Sequence, residues 1–190
     1  DVVVVKGKTV VPEEKKVYLA FNKPRGIVCT AEKREKNNVI NYLSYPVRIY
    51  PVGRLDKDSE GLLLMTNDGA IVNGIMRARN RHEKEYQVEV NKEITPEFLK
   101  KMASGVPILD TVTRPCRIRK TGERSFTIIL TQGLNRQIRR MCEALGYRVT
   151  KLKRVRIMNI HLKDLKTGEY RPLTEKELAE LKKQIGEEKR

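Results

Sequence analysis

Hydrophobic and polar positions alternate along much of the chain, and this alternation predicts six short strands. They fall at residues 17–21, 27–30, 62–66, 86–90, 125–130 and 147–153, where β-branched, aromatic or alternating apolar residues concentrate. Such a pattern is typical of strands that bury one or both faces. The chain also opens on a hairpin-like strand and turn at residues 1–8.

Helices are indicated by a different period and by their end signals. Thr95 and Pro96 open one helix that stops at Gly105, and a capping box from Thr174 to Glu177 opens the last one. Their apolar faces carry Phe98, Leu99 and Met102, and Leu178, Leu181 and Ile185. Strands interleaved with helices predict an α+β domain with a mixed, mainly antiparallel sheet flanked by helices.

A third helix, from about residue 135 to Gly146, combines an apolar stripe with arginines. The stripe is Ile138, Met141, Cys142 and Leu145. It assigns Arg136, Arg139 and Arg140 to the flanks or the opposite face, outside the core. Arginines in a first turn oppose the helix dipole, so a phosphate or a carboxylate such as Asp56 is expected beside them. The alternative is a merely solvated basic helix.

Charge strengthens the case for a polyanionic partner. The 190 residues include 40 Lys and Arg against 24 Asp and Glu, and thirteen basic but only two acidic residues lie between Arg114 and Arg156. A concentrated excess favours phosphate binding over a solubilising surface. Membrane binding is the weaker alternative, because no basic amphipathic stretch carries Trp or Phe anchors.

The length of the chain and its few cysteines and histidines exclude several classes of protein. The chain is long enough for one domain or two small subdomains, and it has neither an apolar run of about 18 residues nor a visible signal peptide. Cys29, Cys116 and Cys142 have no metal-ligand spacing, and only two histidines are present. We therefore expect a cytoplasmic protein with reduced cysteines, without a zinc site or a Ser-His hydrolase centre.

The candidate chemistry centres on Asp56. Residues 53–61 read Gly-Arg-Leu-Asp-Lys-Asp-Ser-Glu-Gly, so Asp56 stands between Arg54 and Lys57 just before an apolar strand. Nearby cations keep a carboxylate ionised beside phosphates, and a rigid strand holds it in place. The competing interpretation is an Asp that only forms a turn.

Four motifs in order resemble those of bacterial ribosomal RNA pseudouridine synthases of the RsuA family. They are the run at residues 53–69, Phe-Asn-Lys-Pro-Arg-Gly at 21–26, Lys-Glu-Tyr at 84–86, and residues 132–141, which open on Gln-Gly where the family more often has Glu-Gly. Residues 105–109 and 156–159 resemble in particular the RluF branch, which acts on large-subunit RNA. The similarity spans roughly residues 17–174 and implies the pseudouridine synthase catalytic fold.

The resemblance also implies a domain division. Residues 1–16 are similar to the tail of an S4-like RNA-binding domain and its linker, with a hinge at 12–16. Residues 17–190 would form the catalytic domain, ending in a helix and a basic tail.

By the same resemblance, the protein isomerises a specific uridine of 23S ribosomal RNA to pseudouridine after flipping the nucleotide out of its stem. Asp56 would be the essential carboxylate, acting on the sugar or the base. Tyr86 would stack on the base and assist proton removal at C5, and Arg139 would pair with Asp56 and aim it. No metal or other cofactor is implied. Without the motif, Tyr86 would be an ordinary strand residue.

RNA contacts are implied at further positions. Arg54 matches an arginine that enters the space left by the flipped base, and Leu152 an apolar residue that packs on the base, although a strand Leu is usually core. The remaining polar residues assigned to RNA are Lys84, Asn135, Arg136, Arg140, Lys153, Arg154 and Arg156. Expected partners are a large-subunit stem-loop and other structured RNA such as tRNA, with no membrane, and the enzyme is expected to be a monomer.

Two other functions remain open from the sequence. A non-catalytic RNA-binding or ribosome-assembly protein fits the charge equally well, but it has no need of Asp56, Tyr86 and Arg139 together. A DNA-binding domain is less favoured, because no zinc ligands, leucine zipper or helix-turn-helix spacing is visible.

Overall fold

A computed structural model describes residues 3–5, 8–10 and 15–187 of the chain. Strands β1 (Val3–Val5) and β2 (Lys8–Val10) pair antiparallel, in agreement with the hairpin expected at the start. Most of the predicted hinge at 12–16 and the end of the basic tail, at 188–190, lie outside the described residues. The domain division at residue 17 stays a prediction.

Strands and helices interleave along the rest of the chain. The strands are β3 (Tyr18–Lys23), β4 (Tyr50–Pro51), β5 (Glu60–Thr66), β6 (Lys84–Val90), β7 (Pro107–Ile108), β8 (Thr111–Val112), β9 (Arg117–Gly122), β10 (Ser125–Leu130), β11 (Val149–Ile157), β12 (Ile160–His161) and β13 (Tyr170–Pro172). The helices are α1 (Val39–Leu43), α2 (Gly69–Arg77), α3 (Pro96–Ser104), α4 (Gln137–Ala144) and α5 (Glu175–Glu187). The α+β class is confirmed.

One large sheet organises the molecule. Within the described residues it has nine strands, seven of them in the order β13-β3-β5-β11-β6-β10-β9, with β4 beside β5 and β12 beside β11. Every pairing is antiparallel except that of β5 with β11, which is parallel. The mixed, mainly antiparallel sheet expected from the sequence is therefore confirmed.

Two apolar clusters flank a cleft over the middle of the sheet. In one, Phe98 of α3 and Met141 of α4 pack with Phe126 of β10. In the other, Ile75 of α2 and Leu181 of α5 pack over β3 and β5. Burial of such side chains contributes about 1.5–3 kcal/mol each. Because the two helix groups cover different strands, the centre of the sheet stays open between α2 and α4.

The predicted strand at residues 27–30 is wrong. Only a single bridge joins Val28 to Asn38 there. Gly26 turns the chain at a φ of 95°, and Cys29 packs instead into the cluster that α1 covers on the sheet's other side. In the part of the chain that the structure describes, no helix has the length and apolarity needed to cross a bilayer.

Candidate functional site

The cleft between α2 and α4 encloses about 330 Å³ and gathers seven of the twelve residues proposed for the site. These seven are Arg54, Asp56, Lys84, Tyr86, Arg136, Leu152 and Arg154. Strands β6 and β11 form its floor, and the loop before β5 forms one rim. A concave pocket with convergent polar groups on an apolar floor is the usual form of a binding site.

Asp56 lies on that rim, in the loop between β4 and β5. Leu55 beside it is buried, and the Asp56 carbonyl accepts a hydrogen bond of 3.0 Å from the Ser59 amide, which closes a tight turn. The Asp56 side chain is 36% exposed, and its Oδ2 lies 3.5 Å from Nη1 of Arg136. The carboxylate is thus held by its backbone while its oxygens face the cleft.

A buried lysine fixes the same loop from below. Lys23 is fully buried at the end of β3, and its Nζ donates 2.9 Å hydrogen bonds to the Pro24 and Ser59 carbonyls and a 3.4 Å bond to that of Lys57. Burial lowers the pKa of Lys23 to about 8. This role of Lys23 was not predicted from the sequence, although Lys23 belongs to the motif at residues 21–26.

Gly61 allows β5 to lie close against β11, directly after the loop that carries Asp56. Gly61 has a φ of 108°, and a Cβ there would lie 2.2 Å from the Arg154 carbonyl oxygen. Only glycine allows this backbone conformation and this approach. The parallel pairing of β5 with β11, at Gly61 and Arg154, therefore places the Asp56 loop directly beside the cleft floor.

Arg136 pairs with two carboxylates of the loop. Besides its contact with Asp56, it makes a bidentate pair with Asp58 at 3.2 and 3.1 Å. This pair lowers the pKa of Asp58. Arg136 itself precedes α4 in a left-handed conformation with φ 49°, which turns its side chain towards the loop. The negative partner expected at this helix start is thus mainly Asp58.

Arg139 departs from expectation in two ways. It was expected outside the core, but its side chain is only 8% exposed, because the Asp58 and Ser59 segment folds over that flank of α4. Its Nη2 donates to the Asp58 carbonyl at 3.0 Å and to the Ser59 hydroxyl at 3.1 Å. The carboxylate nearest to it is Asp58, at 3.8 Å. The expected pair with Asp56 is replaced by an anchor on the loop that carries Asp56.

The floor carries Tyr86 on β6 and Leu152 on the neighbouring strand β11, two positions before Arg154, which pairs with Tyr86. Leu152 is buried, and Tyr86 is half-buried. Arg154 was expected to contact phosphate from the surface, but it is buried beneath the cleft, with Nε donating to the Leu62 carbonyl at 2.8 Å and Nη1 to that of Arg54 at 3.5 Å. Its contacts with two backbone carbonyls tie the floor to the rim.

Lys84 borders the cleft next to Tyr86. Its Nζ donates to the Arg79 carbonyl. Burial, together with the charges of Arg154, Arg79 and Arg114, lowers the pKa of Lys84 to about 8. A nearby phosphate would favour the ammonium form of this lysine, because an opposite charge stabilises it.

Other predicted residues lie outside the cleft. Arg140 donates from Nε to the Asn135 carbonyl at 3.0 Å and from Nη2 to the Asn135 Oδ1 at 2.8 Å. These two hydrogen bonds fix the turn before α4. Lys153 borders a shallow depression beside β12 and does not line the cleft. Arg156 is neutralised by Glu83 and Glu85 at 3.1 Å each, so the structure does not support its assignment to phosphate.

Across the described residues, no group of three or more His, Cys, Asp or Glu is placed to hold a metal ion. The cleft chemistry rests on carboxylate, phenol, ammonium and guanidinium groups. The expectation of a reaction without a cofactor stays a prediction.

Comparison with known proteins gives related sequences and a related fold. A family model described as RNA pseudouridylate synthase matches residues 17–144. The chain is 54% identical over 187 residues to the dual-specificity RNA pseudouridine synthase RluF of Salmonella typhi, and the match covers 97% of this chain and 65% of the relative. Against the ribosomal large subunit pseudouridine synthase B of Bacillus subtilis, identity is 36% over 180 residues, covering 90% and 74%.

A solved crystal structure of a pseudouridylate synthase superposes with a TM-score of 0.82 at 29% identity, covering 91% of this chain and 76% of that one. The chain spans just under two thirds of the length of the RluF relative. The region matched by the family model includes the Asp56 loop, β6 and the whole of α4.

Proposed function

Because the chain belongs to the RNA pseudouridylate synthase family, we propose that it isomerises a specific uridine of large-subunit ribosomal RNA to pseudouridine. The observation that carries this proposal is the cleft that places the Asp56 carboxylate on the rim above Tyr86 and Leu152. A non-catalytic RNA-binding protein has no use for a fixed carboxylate beside an apolar floor.

The shape of the cleft favours a single extruded nucleotide. A base inside a duplex is unreachable, and enzymes that act on bases flip the nucleotide out at a cost of a few kcal/mol. The faces of Tyr86 and Leu152 offer an apolar surface for the uracil ring, and stacking on an aromatic side chain contributes about 1–3 kcal/mol per base. Arg54, exposed on the rim, is free to occupy the gap left in the helix.

The reaction breaks the N1–C1′ bond, turns the base, and joins C5 to C1′. The C5 hydrogen leaves as a proton and N1 gains one, so the overall change is an isomerisation that needs no electron acceptor. Asp56 supplies the carboxylate at the sugar end of the cleft. Tyr86, on the floor, stacks on the base and assists removal of the C5 proton.

The cations around the cleft divide into two groups. Arg139, Arg154 and Lys23 are buried and bonded to backbone carbonyls, so they shape the loop and floor. Arg54 and Lys84 border the open cleft and are placed for the RNA backbone. Phosphate contacts of this kind position the substrate without reading its sequence.

The RluF relatives are named dual-specificity enzymes, which supports structured RNA beyond the ribosomal stem-loop, such as tRNA, as a second substrate. A monomer in the cytoplasm is the state in which we expect the enzyme to act.

The test is substitution of the carboxylate. Asp56→Asn keeps the shape of the side chain but removes its charge, so we expect RNA affinity within about threefold of the parent and no detectable pseudouridine in a ribosomal RNA fragment. Asp164→Asn, at an exposed position, is the charge-matched control and should keep full activity. An Asp56→Asn rate within about tenfold of the parent would contradict the mechanism.

A further inference from the structure

A second cavity lies on the far side of the Asp58 segment from the uridine cleft. It encloses about 430 Å³, between the turn after β3, the exposed side of α4 and the start of β11. Its charged lining consists of Arg25, Asp58, Arg136, Arg139, Glu143 and Arg148. Four guanidinium groups thus face two carboxylates around one opening.

The two outer arginines project from fixed backbone. The amide of Gly26, next to Arg25, donates to the Lys57 carbonyl at 2.7 Å, and the Arg25 side chain reaches the Thr150 carbonyl at 3.2 Å. Arg148 is held by Asn91 through a 2.8 Å bond to its amide and a 3.0 Å bond to its carbonyl. Little backbone ordering is therefore needed when a ligand binds between them.

The positive charge of this cavity is only partly balanced. Asp58 is already engaged by Arg136 and Arg139. Within the part of the chain that the structure describes, neither Arg25 nor Arg148 has a carboxylate within ion-pair distance, and both are exposed. Guanidinium groups that converge without enough carboxylates attract an anion, and their planar forks match phosphate oxygens.

We propose that this second cavity binds a backbone phosphodiester of the RNA strand that flanks the flipped uridine, with Arg25 and Arg148 as its principal ligands. The inference rests on the proposed function, and continuity of the two cavities supports it. Arg136 lines both, and the segment from Asp56 to Ser59 contributes Asp56 and Ser59 to the first cavity and Asp58 to the second. A strand whose uridine enters the cleft therefore carries its neighbouring phosphate across Arg136 into the second cavity.

Paired substitutions test this site. In the double variant Arg25→Gln and Arg148→Gln, we expect the dissociation constant for the RNA at about 0.1 M salt to rise at least tenfold, and the salt slope of binding to fall by about one unit. The single-turnover rate at saturating RNA should stay within about twofold of the parent, because neither residue touches the reacting atoms. Lys183→Gln, an exposed position on α5, is the control and should leave both quantities unchanged.

A second variant separates this outcome from misfolding. Arg25→Lys with Arg148→Lys keeps both charges, so the salt slope should return to the parent value. The affinity should recover only in part, because lysine lacks the planar fork that matches phosphate oxygens. An unchanged slope in the Gln variant, or a saturated rate that falls with the affinity, would overturn the assignment. Equilibrium binding does not require turnover, so a parent protein that binds RNA without forming pseudouridine would refute the proposed function and still test this cavity.

Discussion

Arg139→Lys tests the idea that Arg139 acts by holding the loop of Asp56. The arginine is nearly buried and donates two hydrogen bonds from one nitrogen, to the Asp58 carbonyl and the Ser59 hydroxyl. Lysine keeps the charge but has a single compact ammonium in place of the planar fork. It reaches one of the two acceptors at best.

The size of the effect follows from those contacts. A hydrogen bond from a charged group contributes about 1.5–3 kcal/mol, so losing one should lower the free energy of unfolding by about 2 kcal/mol. A displacement of the loop by about 1 Å shifts Asp56 from its reacting position, which costs up to about 100-fold in rate. We expect a single-turnover rate at least tenfold lower, about 1.4 kcal/mol of barrier, with RNA affinity nearly unchanged.

Tritium release from RNA labelled at C5 of uridine measures the chemical step, and filter binding measures affinity. Ser59→Ala removes the hydroxyl partner alone, so combining it with Arg139→Lys should give less than the sum of the two losses, by about 1 kcal/mol. If Arg139→Lys weakens binding while sparing the saturated rate, Arg139 contacts phosphate and the positioning argument fails.

Two further predictions concern a buried lysine and a half-buried ion pair. Lys23→Met should lower the free energy of unfolding by about 2–4 kcal/mol in urea titrations, because the Pro24 and Ser59 carbonyls lose their donor, whereas Lys57→Met on the exposed part of the loop should cost under about 0.5 kcal/mol. Arg171 holds the pKa of Glu177 down to about 2, below its ordinary value of 4.5, so its stabilisation is present above pH 4.5 and is lost as pH falls towards 2. The unfolding free energies of the parent and Glu177→Gln should therefore differ by about 2 kcal/mol at pH 6 and converge near pH 2; a constant difference would contradict the assignment.

Local sequence signals predicted the elements whose causes are themselves local. Thr95 accepts a hydrogen bond from the Phe98 amide and Pro96 occupies the first turn, so α3 begins and ends where its capping residues indicate. Alternating burial along β10 likewise matches the period-two pattern read from residues 125–130. These features depend on neighbours within a few residues.

Two elements with weak local signals were missed. Helix α2 contains Gly69 and Gly74, which weaken a helix prediction. In the structure Gly74 is where Ile185 of α5 approaches so closely that a Cβ would lie 2.3 Å from its side chain. Strand β9 is a basic edge strand with little burial, so no alternating pattern marked it. Packing against a distant helix thus defines α2, whereas β9 is defined by its pairing with the next strand, β10, which its composition does not indicate.

In the candidate site, too, some features could be predicted from the sequence and others could not. The family resemblance predicted that Asp56 and Tyr86 share one site, and both line the cleft. The periodicity of α4 placed Arg139 outside the core. A helical period cannot show that a loop some 80 residues earlier in the chain covers Arg139. The two carboxylates of that loop, Asp56 and Asp58, have different contacts with Arg136. Asp58 takes the bidentate contact with Arg136, whereas Asp56 keeps only a 3.5 Å contact and substantial exposure. Since a carboxylate fully engaged by arginine is a poor partner for a substrate, Asp58 satisfies the arginines and leaves the Asp56 carboxylate accessible.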